Sequence, residues 1–191
     1  MKTEEKILRY FIENKEEEIS IRELSKRIKS DYKIVHVASS RLVESGLIEK
    51  SVRGNVNLLK YFGAFSSKVF KIELDRREKL IKKKDFRVFY EYIHELEFPL
   101  ICLVFGSFVK ENFSKNSDID VLIITKNKKQ VEDKLNLLPM KLDLNIFSYS
   151  EFLQMLRSRS FSVVSEAVKK NIVLEGIKEY YRLLEVSKND Q

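Results

Sequence analysis

The chain has 191 residues, enough for one large domain or two small ones, and 43 % are hydrophobic, which supports a real core and excludes wholesale disorder. Its net charge of +7 permits contact with nucleic acid or a polyphosphate, but the basic excess is mild along the whole length and forms no block. No apolar run can span a bilayer, and the N-terminus mixes both charge signs where a signal peptide needs an apolar stretch, so a cytoplasmic protein without a membrane partner is expected.

In chain order, Ile7, Leu8, Phe11 and Ile12 fall at helical spacing and predict a first helix over 3–14. Ile19-Ser20-Ile21 reads as a short extended piece. Ser20 with Glu23 forms a capping box that opens a helix through Leu24 and Ile28. After the turn Lys29-Ser30-Asp31, either Ser30 or Asp31 can cap a third helix that puts Val35, Ala38 and Leu42 on one face and stops at Gly46. Residues 47–50 and 56–59 flank the turn Arg53-Gly54-Asn55, as a hairpin would. This order, and the segment Val35 to Ile48 with Ala38, Leu42, Gly46, Leu47 and Ile48 in place, resembles the winged helix-turn-helix of DNA-binding regulators. The resemblance implies contact with double-stranded DNA through Tyr32, Lys33, His36 and Ser40 on the third helix and Arg53 at the wing. Asp31 and Glu44 on the same helix would repel phosphate, and such modules also dock proteins.

Residues 61–97 read as a helical linker, with Phe86, Phe89, Tyr90, Ile93 and Leu96 predicting a helix from about Asp85 to Glu97 and Lys82-Lys83-Lys84 marking a break or an exposed face. Beyond Pro99 come an apolar strand Leu100 to Phe105, a polar loop, a strand Ile119 to Thr125, and a helix from about Lys128 to Leu138. A strand Lys141 to Phe147 and helices near 150–158, 162–170 and 176–187 follow. Cys102, the one cysteine, sits in the first apolar strand and reads as core; His36 and His94 lack companions at metal-ligand spacing, which speaks against zinc. The fold class expected is α+β, in three parts: residues 1–60, a linker 61–97, and a mixed sheet packed on helices over 98–191.

The chemistry concentrates in the stretch Phe105 to Ile123. Asp118 and Asp120 stand two apart at the entry of a strand, so their side chains leave on the same side. Carboxylates so close repel unless a cation sits between them, and magnesium shares hard oxygen ligands with phosphates. Gly106 allows close backbone approach, Ser107 adds a hydroxyl, and Lys110 could neutralise phosphate charge.

Gly-Ser, ten residues, then Asp-x-Asp within Ser117-Asp118-Ile119-Asp120-Val121, resembles the minimal nucleotidyltransferases of the DNA polymerase beta superfamily. The resemblance implies that Asp118 and Asp120 bind two magnesium ions and that Gly106 and Ser107, with Lys110 and Ser117, hold the nucleoside triphosphate. A third carboxylate on a later strand completes the metal site and helps activate the attacking hydroxyl. Its match is Asp143, which alternation places with Asn145 on one face and opposite Leu142, Leu144 and Ile146. The segment Glu166 to Gly176 resembles the end of these domains. One departure stands out. Where the family often reads Gly-Ser-x-Ala-Arg-Gly, this chain has Phe108, Val109, Lys110 and Glu111 after Ser107, which keeps a charge but loses the guanidinium fork and a glycine.

By that resemblance the expected activity is transfer of AMP from ATP to a protein acceptor, as the antitoxin of a HEPN-type toxin. The alternative is a winged-helix regulator, possible as a homodimer, whose nucleotidyltransferase domain senses nucleotide or is degenerate. A third reading is a transferase that modifies nucleic acid presented by the winged helix.

Overall fold

The computed structural model describes residues 2–109, 118–158 and 161–189. They divide into two compact units, residues 1–72 and 73–191.

The first unit begins with α1 (Thr3–Glu13), whose Ile7, Leu8, Phe11 and Ile12 are fully buried, as the helical spacing requires. β1 (Ile19–Ser20) leads directly into α2 (Ile21–Arg27), where the Ser20 hydroxyl accepts from the Glu23 N–H at 3.1 Å. α3 (Tyr32–Glu44) is capped by Asp31, which accepts from the N–H groups of Lys33 and Ile34 at 2.9 and 3.2 Å, so Asp31 and not Ser30 starts it. Val35, Ala38 and Leu42 are buried where α3 meets α1 and α2. Gly46, at φ +69°, supplies the left-handed residue that turns the chain out of α3. β2 (Ile48–Arg53) and β3 (Val56–Tyr61) then pair as a hairpin, and β1 joins the free side of β3, in the order β1-β3-β2.

α4 (Ser67–Ile81) and α5 (Lys84–His94) occupy most of the stretch expected to be a linker, and the break between them falls at Lys82 and Lys83. The division between units lies inside α4. Residues 73–97 therefore belong to the second unit and carry part of its core: Phe86, Phe89 and Ile93 are buried in it. α5 ends three residues before the expected Glu97.

The second unit is built on a mixed sheet of β4 (Ile101–Val104), β5 (Ile119–Ile124), β6 (Leu142–Phe147) and β7 (Ile172–Glu175), ordered β6-β5-β4-β7. β4 runs antiparallel to both β5 and β7, whereas β5 and β6 are parallel and joined through α6 (Lys128–Leu135). The fold is thus α+β with a mixed sheet packed on helices, as expected. β7 was not foreseen. β5 is buried at nearly every position, so both faces of the sheet are covered. Ile119, Val121 and Ile123 face a core shared with α5 and α6. α7 (Tyr149–Arg157), α8 (Val163–Lys169) and α9 (Ile177–Asn189) bury Phe152, Val164, Ala167, Tyr180 and Tyr181 apart from that core.

A buried polar network ties α4 to the end of this unit. The Arg76 guanidinium donates to the Glu73 carboxylate at 2.6 Å and to the Asn171 carbonyl at 2.5 Å, and the Tyr181 hydroxyl donates to Glu73 at 2.7 Å. The Asn171 amide in turn donates to the Tyr180 hydroxyl at 2.8 Å. Glu73 and Asn171 are both fully buried, so each of these bonds offsets a desolvation cost. Among the described residues, no helix is long and apolar enough to cross a membrane.

Candidate active site

β4 ends at Val104, the buried Phe105 follows, and the chain turns at once through a 3-10 turn, Gly106–Phe108. Gly106 has φ +68°, and a Cβ built there would lie 2.6 Å from Asp120 Cγ and closer still to its carboxylate oxygen. Only glycine fits this approach. Asp120 is fixed from two sides: the Phe105 N–H donates to its carbonyl at 3.0 Å, and the Ser107 N–H donates to its carboxylate. Phe108 packs edge-on against Phe86 of α5, with ring centroids 5.4 Å apart, and Val109 also rests on the core. That packing accounts for the apolar residues at 108 and 109. They anchor the turn that carries Gly106 and Ser107.

Asp120 and Asp143 are direct register neighbours on the parallel strands β5 and β6. Leu142, Leu144 and Ile146 pack on the core, so Asp143 and Asn145 leave the opposite face, the same face as Asp120. The Asn145 amide reaches Asp143 Oδ1 at 3.5 Å. Burial, and after it the negative charges of Asp143 and Glu166, push the Asp120 carboxyl above its ordinary range, while the amide hydrogen bonds from Ser107 and from its own N–H pull the other way. Asp118 is exposed in the residue just before β5, with the side-chain parity of Asp120. Lys110 and Ser117, expected to bind nucleotide, lie outside the described residues.

Glu166, on α8, is the acidic residue that the sequence did not flag. The segment Glu166 to Gly176 carries no spacing that links it to Asp120, 46 positions earlier; only the fold brings its charge to bear there. Among the described residues no three carboxylates or other ligands gather closely enough to hold a metal unaided. The donor set nevertheless suits magnesium, which typically takes one or two carboxylates and completes its shell with water and substrate phosphates. Asp120 has no cationic side chain as partner among the described residues, so nothing offsets its burial and the neighbouring negative charges, which together raise its pKa.

Residues 90–180 match the family described as Polymerase beta, Nucleotidyltransferase. No curated protein and no solved structure matches the chain. The matched stretch runs from α5 to the start of α9 and contains Gly106, Ser107, Asp118, Asp120, Asp143 and Glu166. It supports a nucleotidyltransferase fold for this domain, with nucleotidyl transfer from a nucleoside triphosphate as its general chemistry. The first unit lies outside the nucleotidyltransferase match.

The residues expected to touch DNA lie in the first unit. Tyr32, Lys33, His36 and Ser40 are all exposed on α3, and the Tyr32 and His36 rings lie 6.1 Å apart. The Ser40 hydroxyl donates to the His36 carbonyl at 3.1 Å, so its proton is used within the helix. Arg53 is exposed but paired with Glu18 at 2.8 Å.

Proposed function

We propose that the chain is a magnesium-dependent nucleotidyltransferase that moves AMP from ATP to a hydroxyl on a protein acceptor. The observation that carries this reading is the register pairing of Asp120 with Asp143 beside the glycine-tight Gly106–Ser107 turn. Asp118, Asp120 and Asp143 would hold two magnesium ions, and the Gly106–Ser107 backbone with the Ser107 hydroxyl would seat the triphosphate. The metal supplies charge neutralisation at the α-phosphate and on the leaving pyrophosphate. Asp143 takes the proton of the acceptor hydroxyl, whose oxygen forms the new bond to the α-phosphorus as the bond to the bridging oxygen breaks. Pyrophosphate leaves with that electron pair. The Ser107 N–H, which donates to the Asp120 carboxylate, would be free for a phosphate oxygen if Asp120 held a cation.

A protein acceptor, and pairing with a HEPN-type toxin, rest on the resemblance to the small nucleotidyltransferases. Intact-mass measurement tests the reading: the protein is incubated with ATP and magnesium, alone and with its genomic neighbour. A gain of one AMP on either chain, absent from an Asp118→Asn, Asp120→Asn double variant, is expected. No gain with any nucleotide would sink it.

A second reading concerns the first unit. Its order α1, β1, α2, α3, β2, β3, with a hairpin after a capped third helix, favours a winged helix-turn-helix. The exposed Tyr32, Lys33 and His36 would face double-stranded DNA. Gel shifts on the chain's own promoter region test this, and Lys33→Ala with His36→Ala should weaken them.

A further inference from the structure

The first unit holds a groove of about 760 Å³ beside α3 that shares only Lys33 with the DNA-binding reading. Ile34, Val37 and Ala38 line its apolar side, and Ile34 and Val37 are 56 % and 50 % exposed. They lie one turn apart, so they form one stripe. Tyr32, His36 and Ser40 do not line the groove.

Lys2, Lys33, Arg41 and Lys68 stand around this stripe. Two acids share the rim, but they are engaged: Glu4 by Lys68 at 2.7 Å and Arg41 at 3.7 Å, and Glu5 by Lys71 at 3.2 Å. The side-chain ammonium groups of Lys2 and Lys33 have no carboxylate partner among the described residues. The groove therefore presents an aliphatic floor with a net positive border.

We propose that this groove docks an acidic, amphipathic segment of a partner protein, with apolar side chains on Ile34 and Val37 and carboxylates on Lys2 and Lys33. Charge and shape select this occupant. A second copy related by a two-fold axis would bring two net-positive borders together. Duplex DNA would satisfy the cations but would leave aliphatic side chains against phosphates that offer them nothing. A helix with apolar residues at i, i+3, i+4 and i+7 satisfies both parts of the surface at once. The docking does not depend on the transferase reading.

Fluorescence anisotropy on the full-length protein tests it. The probe is a labelled helical peptide with leucines at i, i+3, i+4 and i+7 and glutamates elsewhere. Comparators are the same composition scrambled, the same pattern with lysines for glutamates, and a mixed-sequence duplex DNA. The acidic amphipathic peptide should bind about tenfold or more tighter than either comparator peptide. Ile34→Glu and Lys33→Glu should each weaken it by about tenfold, and His36→Ala should leave it unchanged. Both sites are exposed, so the melting temperature should hold; Val37→Asn is the second variant should Ile34→Glu fail to fold. Equal binding of the scrambled or lysine peptide, or indifference to Ile34→Glu and Val37→Asn, overturns the proposal. So does loss of duplex binding in parallel with peptide binding in Ile34→Glu or Val37→Asn, or a dimer in sedimentation that these variants dissolve.

Discussion

Replacing Gly106 by alanine drives a Cβ into the Asp120 carboxylate and imposes a left-handed backbone on a residue that resists it. The expected outcome is a loss of nucleotidyl transfer of about 10²-fold or more, from a shift of the acid of about 1 Å, with only about 1–2 kcal/mol of stability lost. Transfer rate and urea denaturation, measured on one preparation, check both. Asp120→Asn should act in the opposite sense on stability. The folded-state pKa of Asp120 is raised, so the metal-free fold binds its proton more tightly than the unfolded chain does. Stability is therefore lost as pH rises from the ordinary carboxyl value of 3.8 through the folded value, and the full penalty applies above it. Metal-free Asp120→Asn should melt above the parent at pH 7, with the gap closing toward pH 3. Thermal scans across pH check this, and a constant gap would refute it. At this scale the sequence was informative for Gly106, Asp120 and Asp143, because parity along a strand decides which side chains share a face. It was silent on Glu166, whose effect on Asp120 depends on packing between distant elements.

Among the elements, α4 shows what periodicity leaves out. Its Glu73 and Arg76 are charged residues that helical spacing assigns to solvent, yet both are buried because Tyr181 and the Asn171 carbonyl complete their hydrogen bonds. Glu73→Ala removes the acceptor shared by Arg76 and Tyr181 and should cost about 3–5 kcal/mol in urea denaturation. Glu73→Gln, which keeps an acceptor but not the charge, should cost less. Asp31→Ala removes the side chain that satisfies two N–H groups at the start of α3 and should cost about 1 kcal/mol. Capping was readable in advance, since it depends on residues three or four apart. β7 was not, because Ile-Val-Leu-Glu is too short and too uniformly apolar to separate a strand from the helix beside it. Only pairing with β4 defines it.

For the whole molecule, the position of the core decides what can fold by itself. Residues 73–191 should fold cooperatively when expressed alone, whereas 98–191 should not, since they lack Phe86, Phe89 and Ile93. Circular dichroism melts of the two fragments distinguish the cases; a cooperative melt of the shorter one would show α5 to be dispensable. The sequence placed a linker there because a charged, aromatic amphipathic helix looks alike whether its apolar face meets a sheet or a partner. The contact between Gly106 and Asp120 also bears on descent. A side chain at 106 meets both the Asp120 carboxylate and a left-handed backbone, so loss of the carboxylate removes one of two obstacles, whereas a carboxylate at 120 has its amide seat only while 106 stays bare. The two codons are thus coupled unequally: on the proposed function, a lineage that lost the reaction would be expected to change 120 first, while the left-handed backbone goes on restraining 106.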